Sequence, residues 1–196
     1  MENTAARDEL KRRVWPWLAV VAVLAAAACL LRWQGRLWLC SCGHFRLWLG
    51  DAWSAETSQQ FFDPYSLTHM LHGFVLCGLL ALLLPRANWR WRVALAVAAE
   101  AAWEVFENTE FVINRYRETT AALGYNGDTI VNSLGDVIAC ATGVLVARKL
   151  GPLKTLLVFV LTEIVLLFWI RDSLLLNIIL LVYPSETLKA WQSAGH

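Results

Sequence analysis

Residues 91–112 read WRVALAVAAEAAWEVFENTEFV. A helix of this length and apolarity is long enough to cross about 30 Å of hydrocarbon. Yet Glu100, Glu104 and Glu107 interrupt it, and their i, i+4, i+7 spacing sets three carboxyl groups on one helical stripe. A charged side chain left in hydrocarbon costs several kcal/mol, about 2.5–3.5 on insertion scales, so such residues face one another or a polar cavity. The stretch thus predicts both a membrane-embedded helix and the place where the fold keeps its polar chemistry.

Four other apolar segments of comparable length flank it, at 14–31, 66–84, 129–147 and 153–170. Of the 196 residues 58% are hydrophobic and the mean hydropathy is +0.47, which excludes an ordinary soluble domain. The expected fold is all-α: a polytopic membrane helix bundle with five transmembrane helices. A sixth run, 174–183, ends at Pro184; it is short for a span and is expected as a re-entrant or interfacial segment. Ser185 then suits the N-cap of a C-terminal amphipathic helix over 185–192. The organisation that follows is an N-terminal tail, 1–13, and a single integral membrane domain, 14–196, whose longest loop is 32–65.

Eleven tryptophans, among them Trp15, Trp17, Trp33, Trp38, Trp89, Trp91 and Trp169 where apolar and polar runs meet, fit an interfacial aromatic belt. The net charge of +1 says nothing useful about a nucleic-acid partner and no basic patch appears; the partner expected is membrane lipid, not nucleic acid. Cys29, Cys77 and Cys140 lie in apolar runs and read as small packing residues. Ala26-Ala27-Ala28-Cys29 raises cleavage or lipidation, but the apolar run continues through Leu31, so an uncleaved first span is expected. Placing the N-terminus in the cytoplasm puts ten Lys and Arg on short inner segments and seven on longer outer ones, as the positive-inside rule expects.

In that orientation three helices bring polar groups to one depth beneath the outer surface. His69 and His72 share a face at the start of the second segment; Glu100 and Glu104 lie on the third; Asp128, Asn132 and Asp136 recur every four residues at the start of the fourth. Imidazole and carboxylate from facing helices are common ligands for a divalent metal, and an ion with an open position activates water. The expected metal ligands are His69, His72, Asp136 and Asn132, with Glu100 or Glu104 as catalytic base. The same groups also suit a proton or ion relay, or a hydrogen-bonded lock between helices with some carboxyls protonated. Glu107 reads equally as an interfacial carboxylate, Asp128 as a cap on the fourth helix, and Glu163 as a separate structural group paired with an Asn or Arg.

Outside the bundle, the polar run 54–60 of the long loop is expected as a lid over the outer mouth. Cys40-Ser41-Cys42-Gly43-His44 could bind a soft metal, pair its thiols elsewhere or leave them free; a structural role is favoured. Asn114-Arg115-Tyr116-Arg117 offers Arg forks to an anionic headgroup or phosphate, or simply snorkels to the interface. Arg115, Arg117 and Asn108 are the expected substrate-binding residues.

Several stretches also form a recognisable pattern: Cys40-Ser41-Cys42-Gly43, Glu56-Thr57-Ser58-Gln59, YSLTHMLHG (65–73), EAAWEVFEN (100–108), Arg115-Tyr116-Arg117, YNGDTIVNSLGD (125–136), Ile170-Arg171-Asp172 and Leu176-Asn177. Running in order from about residue 36 to 192, they resemble the UPF0314 family, also called DUF2585. The chain departs from the pattern at Asp63-Pro64, where an aromatic is expected after the Asp, and at Thr57, where Asn is. The resemblance implies a bacterial multi-pass inner-membrane protein and transfers no activity. A looser likeness to VanZ-like membrane proteins is one of fold only. The function expected is a metal-dependent enzyme acting on a lipid-like substrate at the outer leaflet; the alternative is a non-enzymatic assembly or relay protein.

Overall fold

The computed structural model describes residues 2–122 and 124–194, with the backbone alone for 2–8 and 12. Among the described residues every regular element is helical: α1 (Glu2–Trp33), α2 (Ser66–Leu83), α3 (Trp89–Glu107), α4 (Glu110–Thr119), α5 (Ile130–Leu150), α6 (Pro152–Ile170), α7 (Leu174–Val182) and α8 (Glu186–Ser193). Four stretches of the described residues are long and apolar enough to cross a membrane: Glu9–Trp33, Ser66–Leu83, Ile130–Leu150 and Pro152–Ile170. The tail expected over 1–13 is continuous with the first span rather than separate from it; its Arg7 and Arg12 side chains lie outside the described residues.

The expected single helix over 91–112 is two helices. Asn108 ends α3 by donating from Nδ2 to its own helix, at Glu104 O, 3.0 Å away, and Thr109 begins α4 in an extended conformation. A side chain that bonds the preceding turn competes with continuation of the helix. Between Trp89 and Glu107, Arg90, Arg92 and three glutamates leave α3 less apolar than the four spans.

α5 is the centre of the bundle. Its Val137 and Val144 pack with Ala27 of α1 and with Val93, Ala96, Val97 and Ala101 of α3, and its Ala147 packs with Leu71 and Phe74 of α2 and Leu174 of α7. Against α2 it comes close enough for backbone contact. A methyl group at Gly73 would overlap the carbonyl oxygen of Cys140, and one at Gly143 would overlap that of Met70 and sit 3.2 Å from the Gly73 Cα. Small residues let membrane helices approach this closely where lipid supplies no hydrophobic drive. Gly151, at φ 76°, turns the chain from α5 into α6, which starts with Pro152 at its first position, where a missing N–H costs nothing.

The outside is apolar. Leu82, Leu153 and Phe168 are 80%, 80% and 87% exposed, and α1, α2 and α6 present further Leu and Val. Patches of this size on a molecule mark a non-aqueous neighbour. At one end of the bundle the Arg148 guanidinium lies 4.3 Å from the Trp89 ring, and Trp17 meets Trp89 edge-on. At the other end sit the long loop, α4, α7 and α8.

That long loop is ordered by what α5 lacks. The first N–H groups of a helix have no partner within it. Here Thr129 N donates to Ser58 O, Ile130 N to Leu37 O and Val131 N to Trp38 O, at 3.0, 2.8 and 3.2 Å, and the Thr129 hydroxyl accepts from Asn132 N. The cap is therefore Thr129, not Asp128 as the sequence suggested. Ser185 caps α8 as expected, accepting from Leu188 N.

Candidate functional site

α2 and α3 meet through one carboxylate. Glu100 Oε1 lies 2.6 Å from His69 Nδ1 and 2.8 Å from His72 Nδ1, with Oε2 3.1 Å from the latter. The i, i+3 spacing sets the two rings edge to face with centroids 5.1 Å apart, and Trp103 closes the far side of His72. An ionised carboxylate only accepts hydrogen bonds, so in these contacts both Nδ1 atoms carry the proton.

His69 Nε2 faces α5, 3.9 Å from Asp136 Oδ2. Glu104, one turn beyond Glu100, places Oε1 3.1 Å from His69 Nδ1, but that N–H is engaged by Glu100. Both Glu104 oxygens and Asp136 Oδ1 are buried with no hydrogen-bond partner. Orphaned carboxylate oxygens in a dry interior cost far more than paired ones. His69, Glu104 and Asp136 can each offer one ligand atom, all within 4.8 Å of one another, and so can His69, His72 and Glu100. Imidazole and carboxylate donors suit zinc, iron or manganese. The residues fit a divalent cation, and the unpaired oxygens are what such an ion would satisfy.

These groups wall a cavity of about 1320 Å³. His69, His72, Glu100 and Asp136 line one part of it, and the lid residues Ser54 through Gln59 line another. Val75 of α2 and Ile178 of α7 also line it and are 52% and 49% exposed, giving the cavity an apolar flank. Glu107, expected as an interfacial carboxylate, is buried at this wall.

Other expected site residues stand elsewhere. Asn132 donates from Nδ2 to Gln60 O at 2.8 Å, tying α5 to the lid. Asn108 spends its amide on Glu104 O, Asp128 Oδ2 and Ser133 Oγ, and accepts from Asp128 N. Arg115 donates to Leu181 O, and Arg117 to Tyr125 O and to the side chains of Asn114 and Asn126. None of Asn108, Asn132, Arg115 and Arg117 lines the cavity; each is bound to nearby backbone, a pairing that sequence spacing does not encode. Glu163 finds neither an Asn nor an Arg; its carboxylate accepts from Leu174 N and Leu175 N at 3.0 and 3.1 Å, capping α7 where the helix dipole favours negative charge. Cys40 and Cys42 are joined to each other by a disulfide, neither free nor paired elsewhere, and His44 binds Glu56 at 2.9 Å.

Three further loop carboxyls bear on the site: Glu56 and Asp128 line the cavity, and Asp63, which sequence reasoning passed over, orders the lid residue Ser58. Asp63 accepts from Ser58 N and Tyr65 N at 2.7 and 2.8 Å, holding Ser58 at φ 64°; burial raises its carboxyl above the usual range against those bonds. Burial likewise raises Asp128, against donation from Asn108 and Tyr125. Half-buried Glu56 is lowered by its bond to His44.

A family model described as "Protein of unknown function (DUF2585)" matches residues 31–194. The chain is 41% identical over 189 residues to a UPF0314 protein of Rhizobium meliloti, covering 96% of each. It is 43% identical over 176 residues to one of Brucella anthropi, covering 90% of this chain and 89% of the relative. With one of Paracoccus denitrificans the identity is 38% over 183 residues, covering 93% and 95%. No solved structure matches. The resemblance read from the motifs thus holds along nearly the whole chain, which belongs to the DUF2585 (UPF0314) family of bacterial proteins.

Proposed function

We propose that the chain is an inner-membrane enzyme that uses a divalent metal to act on a lipid-like substrate at the outer leaflet. The observation that carries this reading is the set of three buried, unpaired carboxylate oxygens, from Glu104 and Asp136, beside His69. In this reading α3 is the fifth crossing, its glutamates turned inward, and the N-terminus is cytoplasmic, so the lid end faces outward. α7 dips back without crossing.

His69, Glu104 and Asp136 would hold the ion, which when bound supplies Lewis-acid polarisation and a water of lowered pKa. Glu100 fixes the tautomer of His69 by accepting from Nδ1, the arrangement that orients a metal-binding imidazole. Through the same carboxylate it orients His72, whose Nε2, in the neutral ring, would take a proton from a reacting group in the cavity. The geometry thus favours Glu104 as a ligand and His72 as the base, with Glu100 positioning both rings.

Metal analysis of protein purified without chelator tests the reading. About one divalent ion per chain is expected, lost in Glu104→Gln and Asp136→Asn and retained in Asn132→Ala. Wild-type protein that holds no metal, and whose melting does not respond to added zinc, manganese or iron, would overturn it. One observation favours a non-enzymatic lock or relay instead: Glu100 satisfies both imidazoles with no ion needed. In that case Glu104→Gln and Asp136→Asn leave metal content at zero and change only folding or helix association.

A further inference from the structure

The cavity wall is rich in carboxyl groups. Glu56, Glu100, Glu107, Asp128, Asp136 and Asp172 line it, whereas among the described lining residues the basic ones are His69, His72 and Arg36, whose Nη1 donates to Asn126 O. Glu56 is matched by His44 and Glu100 by the two imidazoles. Glu107 and Asp128 have no Lys or Arg partner among the described residues. Arg115 and Arg117, the nearest cations in sequence, turn away to backbone carbonyls. An anionic headgroup would therefore enter against several carboxylates.

Two aromatic rings complete the same wall. Tyr116 and Tyr125 pack edge to face, centroids 5.5 Å apart. Tyr125 donates its hydroxyl to Asp128 Oδ1 at 3.0 Å, and Tyr116 lines the cavity with Glu107. Glu107 is only 9% exposed, and its Oε2 has no partner. Carboxylates beside tyrosine rings recognise organic ammonium groups, by charge and by attraction to the ring face. The apolar reach past Val75, Leu76, Ile178 and Leu181 suits a hydrocarbon tail, because ligand sites pair a largely apolar wall with a few placed polar groups.

We propose that this cavity receives the ammonium headgroup of a single-chain amphiphile, seated among Glu107, Asp128, Tyr116 and Tyr125 with its tail between α2 and α7. The assignment deepens the functional reading above and rests on it for the entry of a lipid-like molecule. It replaces the anionic headgroup that Arg115 and Arg117 suggested in the sequence.

The test is calorimetric titration of the full chain in a neutral sugar detergent, with metal chelated and empty micelles subtracted. The probes are n-octylammonium chloride, sodium n-octanoate and n-octanol. Saturable binding of the ammonium alone is expected, weakened about tenfold or more by Glu107→Gln and also by Tyr116→Leu, in variants that keep the wild-type elution and helical signal. Binding of octanoate or octanol as tight as that of the ammonium overturns the proposal, as does an unchanged affinity in folded Glu107→Gln. If either variant fails to fold, the selectivity of the wild-type chain among the three probes decides alone. Because the titration is metal-free, ammonium binding in a chain that never holds metal would sink the enzymatic reading and leave this site standing.

Discussion

Asp172 shows what one buried carboxyl does to this fold. At the turn between α6 and α7 it accepts from Ser173 N at 2.8 Å and from the Tyr65 hydroxyl at 3.3 Å, but burial outweighs both and pushes it up to about 7. A carboxyl raised on folding favours the protonated native state. Its stabilising effect is complete below the unfolded value of 3.8 and is lost as pH rises through the folded one. Asp172→Asn should therefore gain on wild type as pH goes from about 4 to about 7, by up to roughly 4 kcal/mol, and then run parallel. Melting curves of the two proteins across that range check it; a constant difference would refute it. Such single-residue roles were the least legible from sequence. The cost of burying Glu163 was visible, but not that two backbone N–H groups of α7 meet it, because the partner has no residue identity. For the same reason Arg115 and Arg117 looked available for an anion.

At the scale of elements, the α2–α5 contact is the most demanding in the molecule. A methyl at Gly73 runs into α5 backbone, which cannot yield as a side-chain tip would, whereas one at Gly78 meets nothing within 4 Å. Gly73→Ala should then cost about 1–3 kcal/mol, in line with overpacking. Gly78→Ala should be neutral or slightly stabilising, since alanine is the better helix former by about 1 kcal/mol. Thermal denaturation in detergent separates the two, and equal effects would contradict the packing described. Helix lengths and the C-terminal cap were readable because periodicity, apolar length and Ser185 are local signals. The break after Glu107 was not, since Asn108, which ends α3, is held there also by bonds to Asp128 and Ser133, 20 and 25 residues away. Nor could spacing alone distinguish Gly73 from Gly78: the difference lies wholly in the neighbouring helix.

For the whole molecule, the clustering of His69, His72, Glu100, Glu104 and Asp136 followed from sequence, because hydrocarbon leaves costly groups from adjacent helices nowhere else to go. Placing Asn132 required the lid. The orientation has its own check. Single cysteines introduced at Ser193, on α8, and at Ala87, between α2 and α3, lie at opposite ends of the bundle. In intact cells a membrane-impermeant maleimide is expected to label the first and to reach the second only after lysis; the reverse pattern would invert the proposed topology. The lid's attachment to α5 bears on traffic. Swinging the loop outward would strip Ser58, Leu37 and Trp38 from the first amides of the central helix, exposing donors that nothing else nearby replaces. A roof nailed to its main beam makes a poor hatch. On the proposed reading, molecules reaching the chamber from the lipid would then come sideways past the apolar flank at Val75 and Ile178, and the flow of bilayer components past it would set the supply.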